Sequence, residues 1–150
     1  MFSTMAESRK FFKVLVAIDG SEHSMNAADY AISIAKEYGS ELIALHIITS
    51  DVSNIMSAAS PKMNEKKKES QEYYNAVRHK ADNIDKDIQL RTELIASPSV
   101  VGGITDFAEK ENIDLIVLGT KGRSGLKKLL LGSAASGIVN YSHCPVMIVK

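Results

Sequence analysis

From Phe12 to Ile18 the chain reads FKVLVAI, an almost unbroken apolar run. Such a run predicts a strand buried on both faces, as in a parallel sheet. After DGSEHS the pattern changes to Met25, Ala28, Ile32 and Ala35, with Ala27, Ala31 and Ile34 beside them. Those spacings mark one face of a helix. Ser21 is placed to cap its start and Gly39 to end it. ELIALHII, from Glu41 to Ile48, predicts a second buried strand. Residues 49–63 lack periodicity, are rich in small polar side chains and read as a loop. A charged helix is expected from Asn64 to about Lys86, with Tyr73, Val77, Ala81 and Ile84 as its stripe and Lys66 to Lys68 facing solvent.

The segment Ile88 to Ile95 alternates, with Ile88, Leu90 and Leu94 opposite Gln89, Arg91 and Glu93. Alternation means half-burial, which fits an edge strand. Ser-Pro-Ser at 97–99 opens a helix through Val100, Val101, Ile104, Phe107 and Ala108. Gly102 and Gly103 are expected to weaken it by about 1 kcal/mol each relative to alanine. IDLIVL (Ile113 to Leu118) and PVMIV (Pro145 to Val149) are two further buried strands, separated by a glycine-rich loop and a short helix from Ser133 to Tyr141. Strands alternating with helices give one α/β domain over residues 1–150 with a largely parallel sheet. Residues 1–10 are expected to be a disordered N-terminal segment.

Composition narrows the function classes. The 150 residues are 45% hydrophobic and 24% charged, which excludes wholesale disorder. Eighteen basic residues balance eighteen acidic ones, which argues against a dedicated nucleic-acid binder. Cys144 is the only cysteine, so no internal disulfide forms and a reducing compartment is expected. No apolar run reaches the roughly 20 residues of a membrane helix, and MFSTMAESRKFFK lacks the pattern of a signal peptide. A cytoplasmic protein without membrane or nucleic-acid partners is the expectation.

In an open parallel sheet, ligands bind beyond the carboxyl ends of the strands where the winding reverses. Two strand ends here carry candidate chemistry. The first ends in Asp19-Gly20-Ser21. The fourth ends in Gly119-Thr120-Lys121-Gly122-Arg123-Ser124-Gly125 and continues to Gly132-Ser133. Glycines let successive backbone N–H groups approach an anion, and Gly132-Ser133 opens a helix whose first N–H groups lack partners. Ser133 adds a hydroxyl, while Lys121, Arg123, Lys127 and Lys128 add positive charge. The loop is not a Walker loop, and no Gly-x-Gly-x-x-Gly follows a strand.

The spacing Gly119-x2-Gly122-x9-Gly132-Ser133, with KVLVAIDGSEHS near the start and GSAASGIVNYSHCPVMIVK at the end, resembles the ATP-binding universal stress protein family. ELIALHII and DLIVLG match its second and fourth strands, so the likeness covers nearly the whole chain. The resemblance implies a five-stranded parallel sheet of order 3-2-1-4-5 with helices on both faces. It implies that Asp19 lies near the adenosine and that backbone at His46 and Ile47 lines the adenine. Gly119, Gly122, Gly132 and Ser133 would hold ribose and phosphates, with Leu118 and Ala134 alongside. The ligand would be ATP, ADP or AMP. Gly102, Gly103 and Gly137 depart from the family's usual helix formers and put local helix stability in doubt.

Other residues carry weaker signals. Asp19 also suits a simple cap-like role at its turn. His23, His46, His79 and His143 lack metal-ligand spacing, and His46, within a strand, reads better as a backbone-oriented histidine than as a catalytic base. Cys144 before Pro145 reads as a small packed residue. Met56 and Met63 lie in the expected loop and read as packing groups. No serine–histidine–acid order and no water-activating base stands out, so the expectation is nucleotide binding that favours one conformation and thereby signals to a regulatory protein partner. The alternatives are a slow ATPase and a nucleotide-independent interaction module. Without a carboxylate cluster in the loop, Mg²⁺ or Mn²⁺ would arrive on the phosphates. Val146 to Val149 form an apolar run at a sheet edge, which predicts a homodimer paired through that strand.

Overall fold

The computed structural model describes residues 11–49, 61–120 and 131–150. The expected disordered segment 1–10, most of the expected loop with Met56, and Gly122 with the neighbouring loop cations lie outside the described residues. The elements are β1 (Lys13–Ala17), α1 (Glu22–Tyr38), β2 (Glu41–Ile48), α2 (Pro61–Ile84), β3 (Gln89–Ala96), α3 (Val100–Lys110), β4 (Leu115–Gly119), α4 (Ser133–Tyr141) and β5 (Val146–Val149). The strands form one parallel sheet of order β3-β2-β1-β4-β5.

Alternate residues of the central strands feed two separate cores, and this is why their sequences are apolar throughout. Val14 and Val16 pack with Ala28, Ile32, Tyr74 and Val77 of α1 and α2. Leu15, Ile43 and Ile116 pack with Ile104 and Phe107 of α3 and Ile138 of α4. The chain winds from β1 outward to β3, then crosses back to β4 and β5. Because parallel crossovers share one hand, that reversal transfers the later helices to the opposite face. It also leaves the ends of β1 and β4 diverging side by side.

Local signals set most boundaries. The Ser21 hydroxyl accepts a hydrogen bond from the Ser24 amide at 3.1 Å, and Gly39 ends α1 in the left-handed region at φ 67°. Ser99 caps α3 by accepting from the Gly102 amide at 3.1 Å. β3 is the half-buried edge that its alternation predicted.

Two expectations need correction. The charged helix begins at Pro61 rather than Asn64 and ends at Ile84, so Met63 sits buried in its first turn and not in a loop. Proline suits a first helical turn because no intrahelical N–H bond is lost there. The second concerns Ile84, expected in the buried stripe of α2 but exposed at the end of the helix. The helix glycines have close packing contacts that the sequence did not reveal. A Cβ at Gly103 would lie 2.9 Å from Ile47 Cδ1 and 3.0 Å from Ser97 Cβ, and one at Gly137 would lie 2.6 Å from Val101 Cγ2. Both glycines stand at close packing contacts, whereas Gly102 meets only Ser99, at an ordinary 3.6 Å.

Candidate functional site

Just beyond β1 the backbone turns sharply. Gly20 has φ 83°, and a Cβ there would lie 2.5 Å from the Tyr73 ring of α2, so both conformation and space call for glycine. The Asp19 carboxylate takes part in the turn, its Oδ1 accepting from the Ser21 amide at 2.9 Å. Ser24, buried beneath it, donates its hydroxyl to the Ser21 carbonyl at 3.0 Å and accepts from the Asp19 amide at 3.3 Å. One carboxylate oxygen of Asp19 therefore serves the cap-like role that the sequence left open.

At the end of β2, Nδ1 of His46 lies 2.6 Å from the Ile18 carbonyl oxygen. A carbonyl only accepts, so Nδ1 carries the proton in this pair. The ring meets Tyr73 edge-on at 5.5 Å between centroids. His46 is the backbone-oriented histidine its position suggested.

At the end of β4, Gly119 packs against the first turn of α1, where a Cβ would fall 2.7 Å from the His23 backbone carbon and oxygen. The glycine thus has a packing reason independent of any ligand. Thr120 donates its amide to the Val149 carbonyl at 2.9 Å, and the Gly132 amide donates to the Thr120 carbonyl at 2.8 Å. These bonds bring the start of α4 back to the end of β4. Unlike α1 and α3, which serines cap, α4 starts at Gly132 with no side-chain cap. Its first amides have no partner within the helix.

A cavity of about 190 Å³ lies where these ends meet. Asp19 and Gly119 line it at the strand junction, His46 and Ile47 at the end of β2, and Gly132, Ser133 and Ala134 at the start of α4; Leu118 lies beneath. The structure thus brings together eight of the nine residues singled out from the sequence, Gly122 being outside the described residues. Sequence reasoning missed Ser24, Thr120 and the apolar wall of Val100, Ile104 and Ile138. Ser24 carried a signal, since a serine three residues after a cap faces back toward the helix start. The wall looked like ordinary helix core, and nothing in its periodicity marks a void.

Among the described residues, no group of three or more His, Cys, Asp or Glu side chains is placed to hold a metal ion. No described helix is long and apolar enough to cross a membrane. Burial pushes the Cys144 thiol above its ordinary range against an opposing hydrogen bond from Ser142, which makes it a poor nucleophile.

A sequence model described as the universal stress protein family matches residues 10–150. The chain belongs to the universal stress protein family. A universal stress protein of Methanocaldococcus jannaschii is 36% identical over 143 residues, covering 92% of this chain and 81% of that one. Universal stress protein YxiE of Bacillus subtilis is 36% identical over 150 residues, covering 93% and 99%. Among solved structures, a universal stress protein UspA from Lactobacillus plantarum superposes with a TM-score of 0.82 at 22% identity, covering 95% of this chain and all of that one (100%). A universal stress protein solved in complex with cAMP gives 0.69 at 21% identity, covering 95% and 98%. One from Archaeoglobus fulgidus in complex with dAMP gives 0.68 at 18%, covering 95% and 100%. Family membership and the doubly wound fold therefore agree with the architecture described above.

Proposed function

We propose that this universal stress protein binds ATP or a related adenine nucleotide at the junction of β1 and β4, and acts as a nucleotide-dependent regulator of the stress response. The observation that carries this reading is the cavity itself, which has a carboxylate on one lip and an uncapped helix start on the other. Helix N-termini favour anions through their unpaired amides and dipole. Pockets enclosing a whole ligand commonly run to roughly 300–1,000 Å³. A cavity of about 190 Å³ suits the nucleoside part, with the phosphates leaving it past the lip formed by Gly132 and Ser133. Relatives of the same fold in complex with cAMP and dAMP support an adenine base. Mg²⁺ or Mn²⁺ would enter on the phosphates, as the cavity has Asp19 but the described residues hold no group of three or more metal-binding side chains. In a calorimetric titration with ATP, one site per chain is expected, and the paired change Gly122→Val with Gly132→Val should abolish it while the circular dichroism spectrum stays nearly unchanged. Retained affinity in that variant would sink the assignment.

Homodimerisation through β5 belongs to the same reading. Val146, Met147 and Ile148 are only partly buried, β5 pairs with β4 alone among the described strands, and Val139 and Tyr141 nearby are exposed. Light scattering should find a dimer at tens of micromolar, and Ile148→Pro, by removing a ladder donor, should shift it toward monomer. A monomeric unaltered protein refutes the pairing.

A further inference from the structure

The α3 helix forms the apolar side of the cavity, and two glycines decide where it stands. Val100 and Ile104, four residues apart and so on one helical face, both line the cavity. Between them, the backbone at Gly103 rests on Ile47, with 2.9 Å from a hypothetical Cβ to Ile47 Cδ1. On the other side, Val101 rests on the bare backbone of Gly137 in α4, with 2.6 Å and 3.1 Å from a hypothetical Cβ to its two γ-carbons. Each glycine is followed by a residue of the cavity wall: Ile104 after Gly103, and Ile138 after Gly137. Any shift of backbone at either glycine is therefore passed to the wall.

We propose that Gly103 and Gly137 are positioning residues that set the width of this cavity, and through it the preference for adenine over the bulkier guanine. The proposal rests on the nucleotide reading above. Its logic is steric. Interiors are packed at crystal-like density, so a carbon inserted at 2.6 Å forces one partner to move. Valine in a helix is largely confined to one χ1 rotamer, so Val101 cannot simply turn aside. One of the two helices must move, taking Val100 and Ile104 of α3 or Ile138 of α4 with it. Alanine is the better helix former, so a purely helical role for Gly137 predicts a variant that is unharmed or improved.

The test compares ATP and GTP binding by calorimetry in the unaltered protein, in Gly137→Ala, and in Gly137→Ala combined with Val101→Ala. The unaltered protein should prefer ATP. Gly137→Ala should narrow that preference by about fivefold, within the coupling seen between residues in contact. Truncating Val101 removes both γ-carbons and leaves its Cβ at an ordinary 3.4 Å from the new methyl, so the paired variant should regain the preference. An unchanged ATP-to-GTP ratio in Gly137→Ala overturns the proposal, as does a narrowing that Val101→Ala fails to relieve. Should Gly137→Ala not fold, Gly103→Ala makes the same comparison through Ile47 and Ser97, with the same narrowing expected. If the unaltered protein binds neither nucleotide, the parent reading falls first, and that result is distinct because no variant is needed to obtain it.

Discussion

At the amino ends of the strands, polar groups find partners within the chain. The Lys13 amide donates to the Asp114 carboxylate at 2.8 Å, and the Asp114 amide donates back to the Lys13 carbonyl at 2.9 Å. Lys13 Nζ reaches the Glu111 carbonyl at 3.1 Å, and Arg91 holds the Glu111 carboxylate at 2.7 Å while lying over the Phe107 ring. The Arg91 hydrogen bond keeps the Glu111 carboxyl below the usual carboxylate range. At the carboxyl ends the same strands diverge around a cavity, and the helix that starts there has no side-chain cap. One end closes on itself and contributes stability. The other leaves the first amides of α4 without a side-chain cap among the described residues. The sheet topology explains the difference: reversal of winding opens a crevice only on the carboxyl side, where the connections leave β1 and β4 for opposite faces.

The strongest test of this contrast is Gly119→Val, because it sits at the open end yet packs against backbone. Its side chain would meet the His23 backbone at 2.7 Å, and overpacking of this kind should cost about 3 kcal/mol. Urea unfolding should show the loss; a stable variant would mean that α1 is free to retreat. Next come two aspartates at opposite ends. Asp114→Ala breaks a charge-assisted bond to the Lys13 amide and should cost about 2 kcal/mol of stability without changing ATP affinity. Asp19→Ala should instead weaken ATP about tenfold, or about 1.4 kcal/mol, with a smaller loss of stability. If both act on stability alone, the two ends do not differ in kind.

The smallest effect lies between the ends. Tyr74 of α2 donates its hydroxyl to the Glu93 carbonyl of β3. Burial, opposed by a backbone hydrogen bond at His46 and joined by the Glu93 charge, pushes this hydroxyl from 10.0 up to about 12. A raised folded value makes its contribution complete below pH 10, where folded and unfolded chains are both protonated. The contribution is lost as the pH climbs from 10 through about 12, where only the unfolded chain ionises readily. Tyr74→Phe should cost about 1 kcal/mol at neutral pH and flatten that alkaline decline. An unchanged decline in the variant assigns it to other groups.

The order of elements was legible because both-face burial leaves a signature in runs such as KVLVA and LIVLG, and serine or glycine marks the ends of α1. Asp19, Gly119 and Gly132-Ser133 were legible through their place at strand and helix ends. Gly103 and Gly137 were not, because helical periodicity says which face a residue occupies but not how closely a neighbour approaches. The start of α2 was missed at Pro61, whose fixed φ suits a first turn as well as a loop. Val100 and Ile104 show the remaining limit: apolar residues that line a void and those that fill a core have the same pattern.

The hydrogen bond from His46 to the Ile18 carbonyl has a practical consequence for spectroscopy. It fixes the imidazole as the Nδ1–H tautomer whenever the ring is neutral, and leaves Nε2 as the unprotonated nitrogen. Neutral tautomers differ in their nitrogen chemical shifts and in the couplings from each nitrogen to the ring carbon protons. His46 lines the cavity, and its ring makes a T-shaped contact with Tyr73. A nitrogen-15 spectrum of uniformly labelled protein therefore contains a resonance pair that reports on the strand junction directly, with no dye, spin label or added cysteine.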